Sequence, residues 1–493
     1  MKDWKEKTVV MMVYDVRIDR RVLDTGRTLA KKDWQVTVIA AQGDGWAEDE
    51  QNYPELRIVR IRPSAAPPNL KGIPTDFHGL LHFPWHAVGL EYVRGFCAEA
   101  MNHPAAVYVA HDFPQLVPAL LASKIFRSHL VYDAHELFPD QAFFEPSGLD
   151  RFYTDLERWL VRFTDQVITV NRSCSELMAI RYHIAQPEVL LNCPSLTLGQ
   201  GSLPLERSNV LRQEFNLPDS TKILLYQGGF FKGTRNLETL IHGFKRWGRS
   251  DVALIMMGPG DDAKKYFERY AQGHGLLNNR VFIRPPVNQS QLLRYTASAD
   301  AGIIPYHFTE LNFYYCTPNK LFEYIVAGLP ILSSDLPELN RYVSGLGIGR
   351  NEDLSSPQST ADALERFFAG DLEVFRKNAL QAGPNFTWES QEEKVEALYA
   401  GLTSRAPKHI GASPGGDGLL KGLLSILSEN PRIEKRLGAQ YVAHRDTGLE
   451  DLYDTGTVIE VHTKDIAYYG FFALLREAAQ RFRAYFFKDW FRA

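Results

Sequence analysis

Residues 300–335 read DAGIIPYHFTELNFYYCTPNKLFEYIVAGLPILSSD. Two short apolar runs, DAGIIPY (300–306) and PILSSD (330–335), flank a helix-length segment from about Asn319 to Val326. A strand, a helix and a second strand in that order predict one crossover unit of a parallel sheet. Pro318 suits a first helical turn, because the amide it lacks would find no partner there anyway. The apolar run closes on Ala327-Gly328. Inside the helix Lys320 and Glu323 stand three residues apart and share a face. Leu321, Tyr324 and Ile325 are expected to turn toward the sheet. One reading of the pair is a surface ion pair worth roughly a few tenths of a kcal/mol. The other is an anion site, with the amides starting at Asn319 and the Lys320 ammonium on phosphate, and Glu323 one turn deeper accepting ribose hydroxyls.

The same alternation extends outward from this unit. Upstream, KILLYQGG (222–229), VALIMMGPG (252–260) and RVFIRPPV (280–287) read as strands. A polar break, SLTLGQGSLPLERSN, occupies residues 195–209. Before it come TVVMMVYD (8–15), QVTVIAA (35–41), LRIVRI (56–61), AAVYVAHD (105–112), HLVYDAHE (129–136), QVITVN (166–171) and EVLLN (188–192). Helical patterns at Arg21–Lys32, Pro114–Ile125 and Asp150–Phe163 separate several of them. The expected fold is α/β: two facing, doubly wound Rossmann-like domains over 1–195 and 210–404, with a small C-terminal extension over 405–493. One large α/β domain is the alternative. Ligands of such sheets bind beyond the carboxyl ends of the strands, so the loops that follow the strands carry the function.

Composition narrows the function classes. The chain has 493 residues, too many for one core. Its 55 Lys and Arg against 59 Asp and Glu give a net charge of −4, which argues against a nucleic-acid partner. The four cysteines, Cys97, Cys174, Cys193 and Cys316, show no CxxC spacing and read as reduced thiols of a cytoplasmic protein. MKDWKEK at the start shows no signal-cleavage pattern, and no run approaches about 18 uninterrupted apolar residues.

Three strand ends carry candidate chemistry. Gly228-Gly229 follows KILLYQ and precedes a helix expected near Asn236, with Arg235 just before it. Such a turn lets backbone approach a ligand, and the guanidinium suits phosphate oxygens; a plain tight turn is the bland reading. His111-Asp112 and His135-Glu136 each end a predicted strand. Either pair suits the orientation of an acceptor hydroxyl or the stabilisation of developing charge, or a simple strand-end hydrogen bond. Asp19-Arg20-Arg21-Val22 reads as a helix cap with a solvated charged turn in preference to a cleft wall. No Asp-x-Asp stands in a predicted donor loop and no His/Cys cluster has metal spacing.

The segment from Ala299 to Pro337 resembles the donor-binding region of retaining glycosyltransferases of family 4, which have the GT-B fold. LYQGG…RNLETLI, MMGPG, FTWESQEEKVEALY, VAHD and DAHE support the likeness, which covers roughly residues 8–404. The resemblance implies a sugar nucleotide, UDP- or GDP-linked, as co-substrate and no other cofactor. It implies Glu323 on the donor ribose, Arg235 on the pyrophosphate, Val287 near the base, and His111 across the cleft beside the transferred sugar. Two departures stand out. Many members carry glutamates eight positions apart, whereas the earlier position here is Tyr315. Many carry Arg directly after the phosphate-loop glycine, whereas Phe230 follows Gly229. Lys320 is the candidate to restore that charge. A metal-independent, retaining transfer to an acceptor hydroxyl is expected, in bacterial surface-polysaccharide or glycolipid assembly. A non-catalytic sugar-nucleotide binder and a GT-B-like epimerase are the alternatives.

From Tyr468 onward, Phe471, Leu475, Ala478, Phe482 and Trp490 recur at helical spacing among Arg476, Arg481, Arg483, Lys488 and Arg492. Such a basic amphipathic helix, within residues 466–493, suits the inner face of the cell membrane and a lipid-linked or glycan acceptor, or packing against the protein itself.

Overall fold

The computed structural model describes residues 7–42, 50–61, 90–141, 149–198, 201–306 and 308–408. Residues 409–493 of the expected C-terminal extension, including its basic amphipathic tail, lie outside them. The described residues group into two compact units. Those within Met1–Thr169, Ser175–Val189 and Val395–Ala493 form the first; those within Val170–Cys174 and Leu190–Lys394 form the second.

Unit 1 is built on a seven-stranded sheet: β1 (Thr8–Val13), β2 (Gln35–Ala41), β3 (Arg57–Ile61), β4 (Val107–His111), β5 (His129–Ala134), β6 (Gln166–Thr169) and β7 (Glu188–Val189), in the order β3-β2-β1-β4-β5-β6-β7. Every pairing is parallel. Helices Arg20–Ala30, Leu90–Ala100, Phe113–Phe126, Leu149–Leu160 and Arg172–Tyr182 make the crossovers. The run VVMMV is apolar without alternation because Val9 to Val13 are buried on both faces. The predicted strand at 188–192 pairs over only Glu188–Val189, at the sheet edge. The order reverses between β1 and β4, so a crevice opens beyond their carboxyl ends, where residues 14–19 and His111-Asp112 lie.

Unit 2 repeats the plan with six parallel strands: β8 (Lys222–Gln227), β9 (Val252–Met257), β10 (Val281–Arg284), β11 (Ala301–Ile304), β12 (Ile331–Ser334) and β13 (Gly349–Glu352), in the order β10-β9-β8-β11-β12-β13. Alternate residues of β8 feed two cores: Ile223 and Leu225 pack in one, Leu224 and Tyr226 in the other. The reversal here falls between β8 and β11. β13, whose GRNE carries no apolar pattern, is not among the strands expected from the sequence. It is an edge strand, and Gly349 permits the pairing, since a Cβ there would fall 1.8 Å from the Ile331 carbonyl oxygen.

The helix of the opening segment runs Asn319–Val326 with Pro318 as its N-cap. It ends in a Schellman arrangement: the Gly328 amide donates to Ile325 O and the Leu329 amide to Tyr324 O, with Gly328 at φ 69°. All seven residues from Lys320 to Val326 are buried, not only the sheet-facing ones. Tyr324 clamps the helix onto the sheet. Its hydroxyl donates to Leu225 O (2.9 Å) and accepts from the Gln227 amide (3.0 Å). Its ring fits only because Gly302 of β11 has no side chain; a Cβ there would lie 2.4 Å from the ring.

The four cysteines carry no disulfide. Among the described residues no helix is long and apolar enough to cross a membrane.

Two outcomes follow for stability. Tyr324→Phe orphans the buried Gln227 amide and should cost about 1–3 kcal/mol, read from the denaturation midpoint. In unit 1, Glu157 is buried, accepts from the Tyr132 and Tyr182 hydroxyls, and has its pKa pushed up to about 7, burial being the main cause. The folded carboxyl keeps its proton while the unfolded one, near 4.5, has lost it. Stability therefore falls as pH rises between those values. The difference in unfolding free energy between Glu157→Gln and the parent chain should shift in favour of the variant from pH 5 to pH 7.

Candidate active site

At the crevice of unit 1, neighbouring strands put three titratable side chains together. His111 closes β4 and is the register partner of Asp133 on β5. His135 lies two residues beyond Asp133, so strand alternation carries it to the same side. His111 Nδ1 stands 3.2 Å from Asp133 Oδ2 and 3.2 Å from His135 Nε2, and His135 Nε2 stands 3.3 Å from the same Asp133 oxygen. The other Asp133 oxygen accepts from Arg21, whose side chain is fully buried in the first turn of helix Arg20–Ala30.

Charge explains the local electrostatics. Burial alone would raise the Asp133 carboxyl; Arg21 and the two imidazoles overcome it and hold the group well below the usual carboxylate range. Burial pushes His111 down, against Asp133. His135 moves up: burial and Arg21 oppose its charge, but the Asp133 and Asp112 carboxylates prevail. Asp112 is pushed up to about 7 by burial first, with Glu136 and Asp15 adding to it. His111 Nε2 is buried without a hydrogen-bond partner among the described residues.

Asp19 caps its helix as the sequence indicates, its side chain accepting from the Arg21 amide at 2.8 Å. The turn after it is not solvated: Arg20 and Arg21 are both buried, because Asp133 lies within reach of the second. Asp112 adopts φ 62° and its Oδ1 accepts from the His135 amide at 2.7 Å, tying the ends of β4 and β5 together. Glu136 is exposed and accepts from Gln141 at 2.6 Å. Thus the carboxylate in contact with His111 is Asp133. Its signal was present in HLVYDAHE, where Asp and His alternate at period two.

At the crevice of unit 2, cations and rings collect beyond β8. Lys320 Nζ donates to the Tyr306 hydroxyl at 2.9 Å and lies 4.3 Å from the Tyr226 ring centroid and 4.6 Å from that of Tyr306. The Arg235 guanidinium lies 4.6 Å from the Tyr306 and Phe313 ring centroids and 5.4 Å from that of Phe231. Burial, then repulsion from Arg235, holds the Lys320 amine well below its usual range. Glu323, buried on the same helix, accepts from Gln227, whose amide oxygen accepts in turn from Thr296 Oγ1 at 2.8 Å. Lys320 and Glu323 are therefore not a solvated surface pair.

The glycine turn serves the protein's own packing. A Cβ on Gly228, at φ 143°, would fall 2.7 Å from Lys320 Nζ; one on Gly229 would meet the Phe231 ring at 2.4 Å. Gly258 of MMGPG approaches the Gly228 carbonyl so closely that its Cβ would fall 1.9 Å away. Phe230 is 2 % exposed, packed near Tyr226 and Phe267 in the core. A side chain directed inward there has no use for charge. Tyr315 is half-buried, and its carbonyl accepts from Asn171 Nδ2 at 2.6 Å. Asn319 is exposed at the first helical position. Val287 is half-buried against the core below β8 and β9.

Comparison with known proteins bears on both units. A glycosyl transferase 4-like domain model matches residues 18–192, and a glycosyl transferases group 1 model matches residues 221–369. A search of curated proteins found no match. Among solved structures, sucrose-phosphate synthase from Thermosynechococcus elongatus is 18% identical, with TM-score 0.64, over 81% of this chain and 100% of its own. Anabaena HepE, solved in complex with UDP and glucose, is 15% identical, with TM-score 0.61, over 80% of this chain and 100% of its own. WaaG, a glycosyltransferase involved in lipopolysaccharide biosynthesis, is 17% identical, with TM-score 0.57, over 80% and 100%. The fold is that of the GT-B glycosyltransferases, and the two family models place this chain in that superfamily.

Proposed function

We propose that the chain is a retaining glycosyltransferase of family 4 that moves a sugar from a nucleoside-diphosphate sugar to an acceptor hydroxyl. The observation that carries this reading is the pair of cations beyond β8. Arg235 and Lys320 both lie 4.6 Å from the Tyr306 ring centroid, and burial first, then repulsion from Arg235, holds the Lys320 amine down. A diphosphate relieves that repulsion. The N-terminal end of helix Asn319–Val326, which carries Lys320, adds its dipole, and Arg235 suits phosphate oxygens bidentately. Glu323 then accepts ribose hydroxyls, and Val287 lines the base.

In this mechanism Arg235, Lys320 and the amides stabilise the charge that develops on the departing nucleoside diphosphate, with no metal bridging the phosphates. His111 offers its Nε2, which has no hydrogen-bond partner among the described residues, to a hydroxyl of the sugar or acceptor, its other nitrogen being held beside Asp133. Asp112 and Glu136 set the surrounding negative potential. A basic tail lying on the inner face of the membrane would suit a lipid-linked or glycan acceptor and a place in surface-polysaccharide or glycolipid assembly. A sugar-nucleotide binder without transfer is the second reading, favoured by Phe230 in the core and Tyr315 at an expected glutamate position.

Arg235→Ala and Glu323→Ala should each weaken binding of a UDP- or GDP-sugar by about tenfold or more, as losses of roughly 1.5–3 kcal/mol imply, measured by calorimetry. His111→Ala should lower turnover while leaving donor affinity near that of the parent. Unaltered donor affinity in the first two variants would overturn the assignment; tight donor binding with no release of diphosphate in the parent would select the binder. Removing residues 466–493 should shift the protein from membrane to soluble fractions. Unchanged fractionation would count against the membrane role of the tail.

A further inference from the structure

We propose that His111 Nδ1, His135 Nε2 and Asp133 Oδ2 form a three-ligand site for a divalent transition-metal ion, with zinc the best match and a fourth position open to an oxygen ligand. These residues are brought within 4.8 Å of one another by the ends of β4 and β5, at a spacing that no sequence motif announces. The proposal is independent of the donor site of unit 2.

The triangle has sides of 3.2, 3.2 and 3.3 Å between the same three atoms. Ligands bound to tetrahedral zinc at about 2.0–2.2 Å stand roughly 3.2–3.5 Å apart. An ion about 2.1 Å from each atom would sit about 1 Å above their plane. The pocket is therefore spaced for an ion without rearrangement.

Without an ion, both imidazoles can donate to the one Asp133 oxygen, which brings their two nitrogens within 3.2 Å of each other. The carboxylate oxygen is an acceptor, and each imidazole nitrogen either donates or accepts. If both nitrogens carry protons, their mutual 3.2 Å contact is donor against donor. If one is bare, it faces the carboxylate oxygen as acceptor against acceptor. A cation at the centre would instead take a lone pair from each of the three atoms.

The surroundings resemble those of a metal centre. Asp133 is fixed through its second oxygen by Arg21. The far nitrogen of His135 lies 3.9 Å from Asp19 Oδ1, within ion-pair range of that carboxylate. The His135 amide is pinned by Asp112 at 2.7 Å. Arg21 and Arg20 oppose a cation, while Asp15, Asp19, Asp112, Asp133 and Glu136 favour one. Two histidines and one carboxylate leave coordination room, which distinguishes a site able to take a hydroxyl from a closed structural one.

The test uses the full chain, freed of metal by a chelator and titrated with Zn(II) against a chromogenic competitor. One equivalent should bind at micromolar or tighter affinity. His135→Ala and His135→Gln should each weaken it at least tenfold, with circular dichroism confirming the fold. X-ray absorption on the unmodified zinc-loaded chain should show imidazole nitrogen and oxygen scatterers without sulfur. Failure to bind an equivalent more tightly than millimolar, retention of affinity in a folded His135 variant, or sulfur in the coordination shell would each overturn the proposal.

Discussion

Covering a parallel sheet on both faces is the constraint from which the remaining features follow. Strands such as VVMMV and VALIMM are buried along their whole length, so they admit no charge until they end. Crossover helices occupy the faces. Polar and ionised side chains are then confined to the strand ends, and they gather where the strand order reverses. Both units obey this: His111, Asp133 and His135 gather at the carboxyl ends of β4 and β5, and Gln227, Arg235 and Lys320 gather at the carboxyl ends of β8 and β11.

The two clusters differ in sign. Carboxylates outnumber cations at the end of the first sheet, where Asp15, Asp19, Asp112, Asp133 and Glu136 face Arg20 and Arg21. At the end of the second, Arg235 and Lys320 face Glu323 across the rings of Tyr226 and Tyr306. Neither arrangement is economical for folding. Burying the Arg21–Asp133 pair costs desolvation that a well-packed apolar pair would avoid, and breaking it by removing one partner typically costs about 3–5 kcal/mol. Lys320 is held by ring faces and one hydroxyl while a second cation repels it. Buried charge kept under such conditions is more readily explained by what it binds than by what it stabilises.

The order and kind of elements were legible in the residues. Period, punctuation and length indicated parallel α/β architecture, because burial on both faces leaves uninterrupted apolar runs bounded by turns. The helix at Asn319–Val326 could be read to the residue, since Pro318 and Gly328 mark its ends by backbone chemistry alone. β13 escaped notice because an edge strand needs backbone partners more than apolar side chains.

Candidate site residues were legible only one at a time. His111 and His135 stood out as strand-end histidines, and Lys320 with Glu323 as a helix pair. That Arg21 would be buried against Asp133 depended on residues 112 apart meeting. That Phe230 would turn into the core, and that Gly228 would make room for Lys320, depended on packing between β8, β9 and the helix. Local sequence determines secondary structure and its polarity, because those respond to neighbours within a few residues. Which charges meet, and which way each side chain faces at the end of a strand, was decided only by the register of strands far apart in the chain.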